Sequence, residues 1–192
     1  MIEIDFYSEV CEKFKIYLLS FLPIETEIAF SYNKTLPKMI GDIEAQLKTD
    51  TLLSHKYMPS LKLDILFGVK MPNNDVKFIL FEAKHLNQIS LADFSQLVGY
   101  LQVAKEIKIG LLLLVKKGSA KNKLSNDFSD ILMMKNLPMA WQLVLNESLK
   151  EEKHNFYTGI CCYIPNNGIE WIDSKDIKGI SSFKALADLL EQ

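Results

Sequence analysis

The chain is short of the residues that staple small folds or clamp metals through soft ligands. It has three cysteines in 192 residues, Cys11, Cys161 and Cys162. That number gives no disulfide framework, and an adjacent pair inside an apolar run reads as two buried thiols in a reducing, cytoplasmic compartment. Only three histidines are present, and none stands at a zinc-like spacing from the cysteines. No apolar run approaches the roughly 18 residues of a membrane span. The first residues, MIEIDFYSEV, carry acidic side chains where a signal peptide carries basic ones, so no membrane partner is expected. There is no internal repeat and no low-complexity tract. Positive charge is not in excess either: 22 basic and 24 acidic residues give a net charge of −2. That balance removes the global attraction by which a protein finds nucleic acid unaided.

What is present is an ordinary globular composition, 48% hydrophobic and 24% charged, enough for one substantial core. Glu3 to Leu22 has apolar residues at helical spacing (Tyr7, Val10, Cys11, Phe14, Tyr17, Leu18, Phe21), and Pro23 ends it. Thr26 to Tyr32 reads as a strand, and Leu36 to Lys48 as a short helix with Pro37 near its start. Thr49 to Pro59, which includes His55 and Tyr57, is a connector. Ser90 to Glu106 is a helix with a packing stripe of Leu91, Phe94, Leu97, Val98, Leu101 and Ala104. Asp93 and Gln102 stand on its polar face. Lys108 to Val115 is a buried strand. The loop after it carries Lys116, Lys117, Lys121 and Lys123, either a local basic groove or a solvated loop. A helix over 122–136, a strand over 139–145 and a charged connector over 147–155 follow. Phe156 to Ile164 and Ile169 to Asp173 flank the turn signal Pro165-Asn166-Asn167-Gly168, and Ser181 to Glu191 closes the chain as an amphipathic helix.

The stretch SLKLDILFGVKMPNNDVKFILFEAK, Ser60 to Lys84, is where chemistry concentrates. Two runs of strand formers flank the turn residues Met71-Pro72-Asn73-Asn74-Asp75, a hairpin pattern. Asp64 interrupts the first run, and Glu82 and Lys84 interrupt the second. Charge inside an apolar strand is costly unless it is paired or bound to metal. Strand alternation puts Glu82 and Lys84 on one face and Phe81, Ala83 and the next residue, His85, on the other. On the first strand it puts Leu61, Leu63, Ile65 and Phe67 on one face and Lys62 and Asp64 on the other. Antiparallel pairing would then let the Asp64 and Glu82 carboxylates converge as a hard-oxygen site suited to Mg²⁺. A lysine two residues on would reach water or phosphate, the set that metal-assisted phosphodiester hydrolysis needs. The alternative is ordinary cross-strand ion pairing with Lys62 and Lys84.

Asp64 followed by Glu82-Ala83-Lys84 resembles the PD-(D/E)xK motif of the restriction-endonuclease-like nucleases. Gln96-Leu97-Val98-Gly99-Tyr100 is similar to the QxxxY helix motif that follows the ExK strand in several branches of that superfamily. The order strand, strand, helix, strand over residues 60 to 116 is the order that the family requires. Leu63 stands where the motif's proline would be.

The resemblance implies an α/β fold with a core of the order αβββαβ, a central mixed sheet flanked by helices. Here a C-terminal β-hairpin and helix would be added: one domain over 1–192, its catalytic core about 1–116 and its extension about 117–192. It implies Asp64, Glu82 and the Ala83 carbonyl as Mg²⁺ ligands and Asp64, Glu82, Lys84 and Gln96 as the catalytic set. Glu9, Glu12 and Tyr100 are auxiliary candidates. The implied activity is Mg²⁺-dependent hydrolysis of double-stranded DNA. With net charge −2 and no DNA-reading module, the chain is most similar to the cleavage domain or small catalytic subunit of a heterodimeric type IIS restriction endonuclease. A larger subunit would read the site. The other readings are an autonomous homodimeric restriction enzyme, a junction-resolving or repair nuclease, and a non-catalytic member of the fold acting as a binding subunit.

Overall fold

The computed structural model describes residues 3–50, 58–115, 123–133, 156–165, 167–172 and 179–192. Among these residues six strands form one mixed sheet in chain order: β1 (Glu27–Thr35), β2 (Lys62–Lys70), β3 (Val76–Lys84), β4 (Ile109–Val115), β5 (Tyr157–Ile164) and β6 (Gly168–Trp171). The first three pair antiparallel, β3, β4 and β5 run parallel, and β6 returns antiparallel. Connection length explains the change. Between β2 and β3 lies a tight turn in which Asn74 takes a left-handed backbone (φ 65°) and the Asn73 Oδ1 accepts from the Asp75 N–H at 3.0 Å. Such a turn can only reverse the chain, whereas β3 reaches β4 through a helical crossover, which parallel pairing needs.

Helices cover both faces. On one face lie α1 (Tyr7–Leu19) and α5 (Phe183–Glu191); on the other lie α2 (Leu36–Leu47), α3 (Leu91–Val103) and α4 (Asn126–Met133). The α1 face is organised around Phe14, whose ring meets Phe67 at 5.0 Å, Phe81 at 4.8 Å and Phe183 at 5.2 Å. Each such ring, once buried, stabilises the fold by about 1.5–3 kcal/mol. On the α2 and α3 face, Leu66, Leu80 and Leu112 pack against Ile43, Phe94 and Leu97. Gly68 lies directly beneath Ile43 of α2, where a Cβ would collide with that side chain. No helix among the described residues is long and apolar enough to cross a membrane.

Several elements differ from the sequence reading. β1 runs three residues beyond Tyr32. The helix read at Leu36 to Lys48 is there as α2, between β1 and β2, so the uninterrupted αβββ order that the resemblance implied is broken by a helix. Tyr17 and Phe21, assigned to the buried stripe of α1, are 42% and 48% exposed; both rings lie against Phe183 of α5, at 5.6 and 6.3 Å, with the remainder of each left to solvent. β5 pairs in parallel with β4, and Phe183, Leu186 and Leu190 enter the Phe14 core. The C-terminal hairpin and helix therefore complete the same sheet and core as the residues before 116. Within 122–136 the helix spans Asn126–Met133. The expected 139–145 strand and 147–155 connector, His55, Tyr57, Lys116, Lys117 and Lys121 lie outside the described residues.

The largest departure is on β2. Leu63 packs with α2 residues on one side of the sheet, whereas Ile65, Phe67 and Val69 pack on the α1 side. Regular alternation would have kept Leu63 and Ile65 together. The strand exchanges faces at Asp64.

Candidate active site

β2 and β3 are zipped from Lys70↔Val76 to Ile65↔Phe81 and then part. β3 keeps its other neighbour through Lys84↔Leu114. Past Phe81, β3 has therefore lost its partner on the β2 side. An unpaired N–H buried there would cost about 1–3 kcal/mol. Asp64 meets that need: its Oδ2 accepts from the Ala83 N–H at 2.9 Å. A side-chain carboxylate takes the place of the missing ladder carbonyl. The N–H and C=O of one residue leave a strand on the same edge, so the Ala83 carbonyl faces the same opening. The Ala83 methyl points into the α1 core and is fully buried.

Glu82 faces the other layer and is 2% exposed. Burial pushes its carboxyl up, and the neighbouring Asp64 carboxylate, close enough to share a hydrogen bond, pushes it further. Lys84 pulls it back, and the balance leaves it at about 7. Lys84 Nζ donates to Glu82 Oε1 at 2.5 Å and to Gln96 Oε1 at 3.0 Å. Burial works against the lysine's charge, but Glu82, then Asp64 and Asp93, more than offset it, so the ammonium is held above its ordinary range. Gln96 Nε2 in turn donates to the Tyr100 hydroxyl at 2.8 Å. The lysine has only donors, which requires the Gln96 carbonyl oxygen to face it and leaves the amide nitrogen for Tyr100. The QxxxY spacing thus serves as one turn of α3 presenting two side chains to Lys84 in series.

The structure therefore brings Asp64, Glu82, Ala83, Lys84, Gln96 and Tyr100 together. It does not bring Glu9 and Glu12. They lie on α1, the helix that packs by Val10 and Phe14 on the opposite face of the sheet. Glu9 is held below the usual carboxylate range by the Tyr163 hydroxyl beside it and by Lys13, its ion-pair partner at 3.3 Å. Glu12 is exposed to solvent. His85 points to the α1 side, its ring 5.3 Å from that of Phe6. Lys123, at the end of the basic loop, pairs with Glu170 at 3.0 Å.

Asp93 acquires a part that its place on a polar face did not suggest. Its Oδ2 accepts from the Ser90 N–H at 2.8 Å and the Ser90 hydroxyl at 2.6 Å, while Ser90 Oγ accepts from the Asp93 N–H. This capping box is worth about 1 kcal/mol to the start of α3, and it fixes a carboxylate whose field reaches Lys84. The signal was present as Ser90-Leu91-Ala92-Asp93, the S-x-x-D spacing immediately before an apolar run.

Among the described residues no third His, Cys, Asp or Glu gathers with Asp64 and Glu82. The donors on offer are two carboxylates and a backbone carbonyl, all hard oxygens. That set fits Mg²⁺, which keeps several waters and takes few protein ligands. The raised Glu82 fits it too, since a buried pair of carboxylates with one lysine is short of positive charge. No family model matches the chain, and no curated protein or solved structure does.

Proposed function

We propose that the chain is a Mg²⁺-dependent endodeoxyribonuclease of the PD-(D/E)xK type. We further propose that it is the cleavage subunit of a type IIS restriction endonuclease whose larger partner reads the DNA site. The observation that carries the reading is Glu82. It is a 2% exposed glutamate with a pKa near 7, facing Asp64 where the β2–β3 ladder opens. Asp64, Glu82 and the Ala83 carbonyl would hold Mg²⁺, which supplies an activated water and neutralises charge developing on the phosphate. Lys84, held by Gln96, would offer its remaining N–H groups to the attacking water or a phosphate oxygen. Tyr100 holds the Gln96 amide in the orientation that this needs.

Dependence on a partner is supported by the cations. All 22 basic residues are lysines. The chain therefore lacks the guanidinium fork that grips phosphates and reads guanine in the major groove, and its net charge is −2. Affinity for DNA through phosphate contacts alone would be weak and salt-sensitive.

Supercoiled plasmid incubated with the purified chain tests both parts. Slow, sequence-indifferent nicking that needs Mg²⁺ and stops with EDTA supports the reading. A discrete banding pattern from the chain alone would replace it with an autonomous homodimeric restriction enzyme. Preferential cutting of branched DNA would point to a junction-resolving or repair nuclease. No Mg²⁺-dependent cleavage under any condition, including with the site-reading partner, would leave a non-catalytic binding subunit.

A further inference from the structure

β1 and β2 pair regularly from Glu27↔Lys70 to Tyr32↔Ile65 and again at Lys34↔Leu63, but Asn33 and Asp64 between them make no pair. Asn33 has a left-handed backbone, φ 52°. It is the only non-glycine residue inside a described strand with positive φ; the others, Lys48 and Asn74, sit at a helix end and in a turn. Both strands change face at this step. On β2, Leu63 joins the α2 layer while Ile65 stays in the α1 layer. On β1, Phe30 and Tyr32 pack on the α1 side, whereas Lys34 reaches Asp42 of α2 at 2.6 Å. The Asn33 side chain is exposed, so what the position contributes is its backbone.

An undistorted β2 would aim Asp64 squarely at the α2 layer, beside Leu66. Instead its carboxylate turns into the gap between β2 and β3 and accepts from the Ala83 N–H at 2.9 Å, in the plane of the sheet where a ladder carbonyl would stand. A local twist that re-aims a side chain next to a functional site is what ladder defects in sheets do. We infer that Asn33 is a positioning residue: its left-handed backbone turns the β1–β2 ladder so that the Asp64 carboxylate enters the β2–β3 opening. This rests on the reading of Asp64 and Glu82 as a metal site, but its first test does not need metal. Asparagine tolerates this conformation and glycine adopts it freely, whereas a β-branched residue there is an outlier.

The experiment compares wild type, Asn33→Gly, Asn33→Val and Asp64→Ala by amide hydrogen exchange without metal and by Mg²⁺ calorimetry. In Asn33→Val the Ala83 amide should exchange at least about tenfold faster, approaching Asp64→Ala, while the amides of the zipped half of the β2–β3 hairpin stay protected. Mg²⁺ affinity should fall by about tenfold or more. Asn33→Gly should match wild type in both. Wild-type protection of Ala83 in Asn33→Val would overturn the inference, as would an Asn33→Gly protein as defective as Asn33→Val. An Asn33→Val chain that fails to fold while Asn33→Gly folds would assign the turn to the sheet as a whole and overturn it too. If wild type neither binds Mg²⁺ nor cuts DNA, yet Ala83 protection still follows residue 33, the nuclease reading fails and the role of Asn33 stands.

Discussion

Two carboxylate–lysine clusters lie on the same side of the sheet, and they are built for different ends. At the first, Asp42 of α2 accepts from Ser31 Oγ and Lys34 Nζ, each at 2.6 Å. Burial raises the Asp42 carboxyl, but the Lys34 and Ser31 bonds outweigh it and leave it below its ordinary value. Its side chain is 35% exposed and that of Lys34 is 48% exposed. One carboxylate meets one cation and one hydroxyl, and water covers the rest. At the second, Glu82 and Lys84 are 3% and 18% exposed by side chain, and the lysine serves two carboxylates instead of one. Here burial and Asp64 win and Glu82 is raised to about 7. A pair retained for stability looks like Asp42–Lys34. The raised Glu82 gives up stability at neutral pH, which the proposed role as a Mg²⁺ ligand would explain and a pair kept for stability would not.

The comparison breaks most sharply in cleavage. Asp64→Ala, Glu82→Ala and Lys84→Ala should each lower Mg²⁺-dependent plasmid nicking by about 10²–10⁴-fold, while Asp42→Asn leaves the rate as it was. Equal losses in all of them, or none in the first three, would erase the distinction between the clusters.

Next comes stability in EDTA. Lys84→Met leaves two carboxylates facing each other without a cation. It should cost about 3 kcal/mol at pH 8 and far less at pH 4, where Glu82 is protonated in wild type as well. Urea denaturation at the two pH values reads the difference. Glu82→Gln should act in the opposite direction. The folded pKa of Glu82 lies above its ordinary 4.5. Its contribution to stability is therefore fully present below that value and is lost as the pH rises through about 7. Removing the charge leaves Lys84 with Asp64 as a one-to-one pair, and metal-free Glu82→Gln should gain about 1–2 kcal/mol at pH 8. The smallest effect belongs to Asp42→Asn. Its depressed pKa stabilises the fold above 3.8 and ceases to do so as the pH falls below that range. The loss at pH 7 should stay under about 1 kcal/mol for so exposed a pair, and should vanish on acidification in a pH series of the same denaturation curves.

Much of this site could be read before its geometry was known, because its signals are local. The charges at 64, 82 and 84 stood out against apolar runs, period-two alternation put Glu82 and Lys84 on one face, and the i,i+4 spacing of Gln96 and Tyr100 put both on one side of a helix. What stayed hidden depends on pairing between distant segments. Asparagine at 33 is compatible with a turn, a cap or a regular strand, so a face exchange shared by two strands has no signature in either, and Leu63 was assigned to the wrong layer. The parallel pairing of β5 with β4 crosses more than forty residues of chain, and no local pattern specifies a partner over that distance. Tyr17 and Phe21 follow the helical period, but the ring they meet, Phe183, comes from the far end of the chain and leaves both partly exposed, which is a tertiary fact.

The most direct test of the central claim is Mg²⁺ calorimetry at pH 6 and pH 8 on wild type and Glu82→Gln. With Glu82 near 7, binding at pH 6 must expel a proton that is already gone at pH 8. The account predicts affinity about tenfold tighter at pH 8, release of close to one proton at pH 6, and no such binding in Glu82→Gln. Mg²⁺ binding that is indifferent to pH and to Glu82, or no binding at either pH, would contradict it.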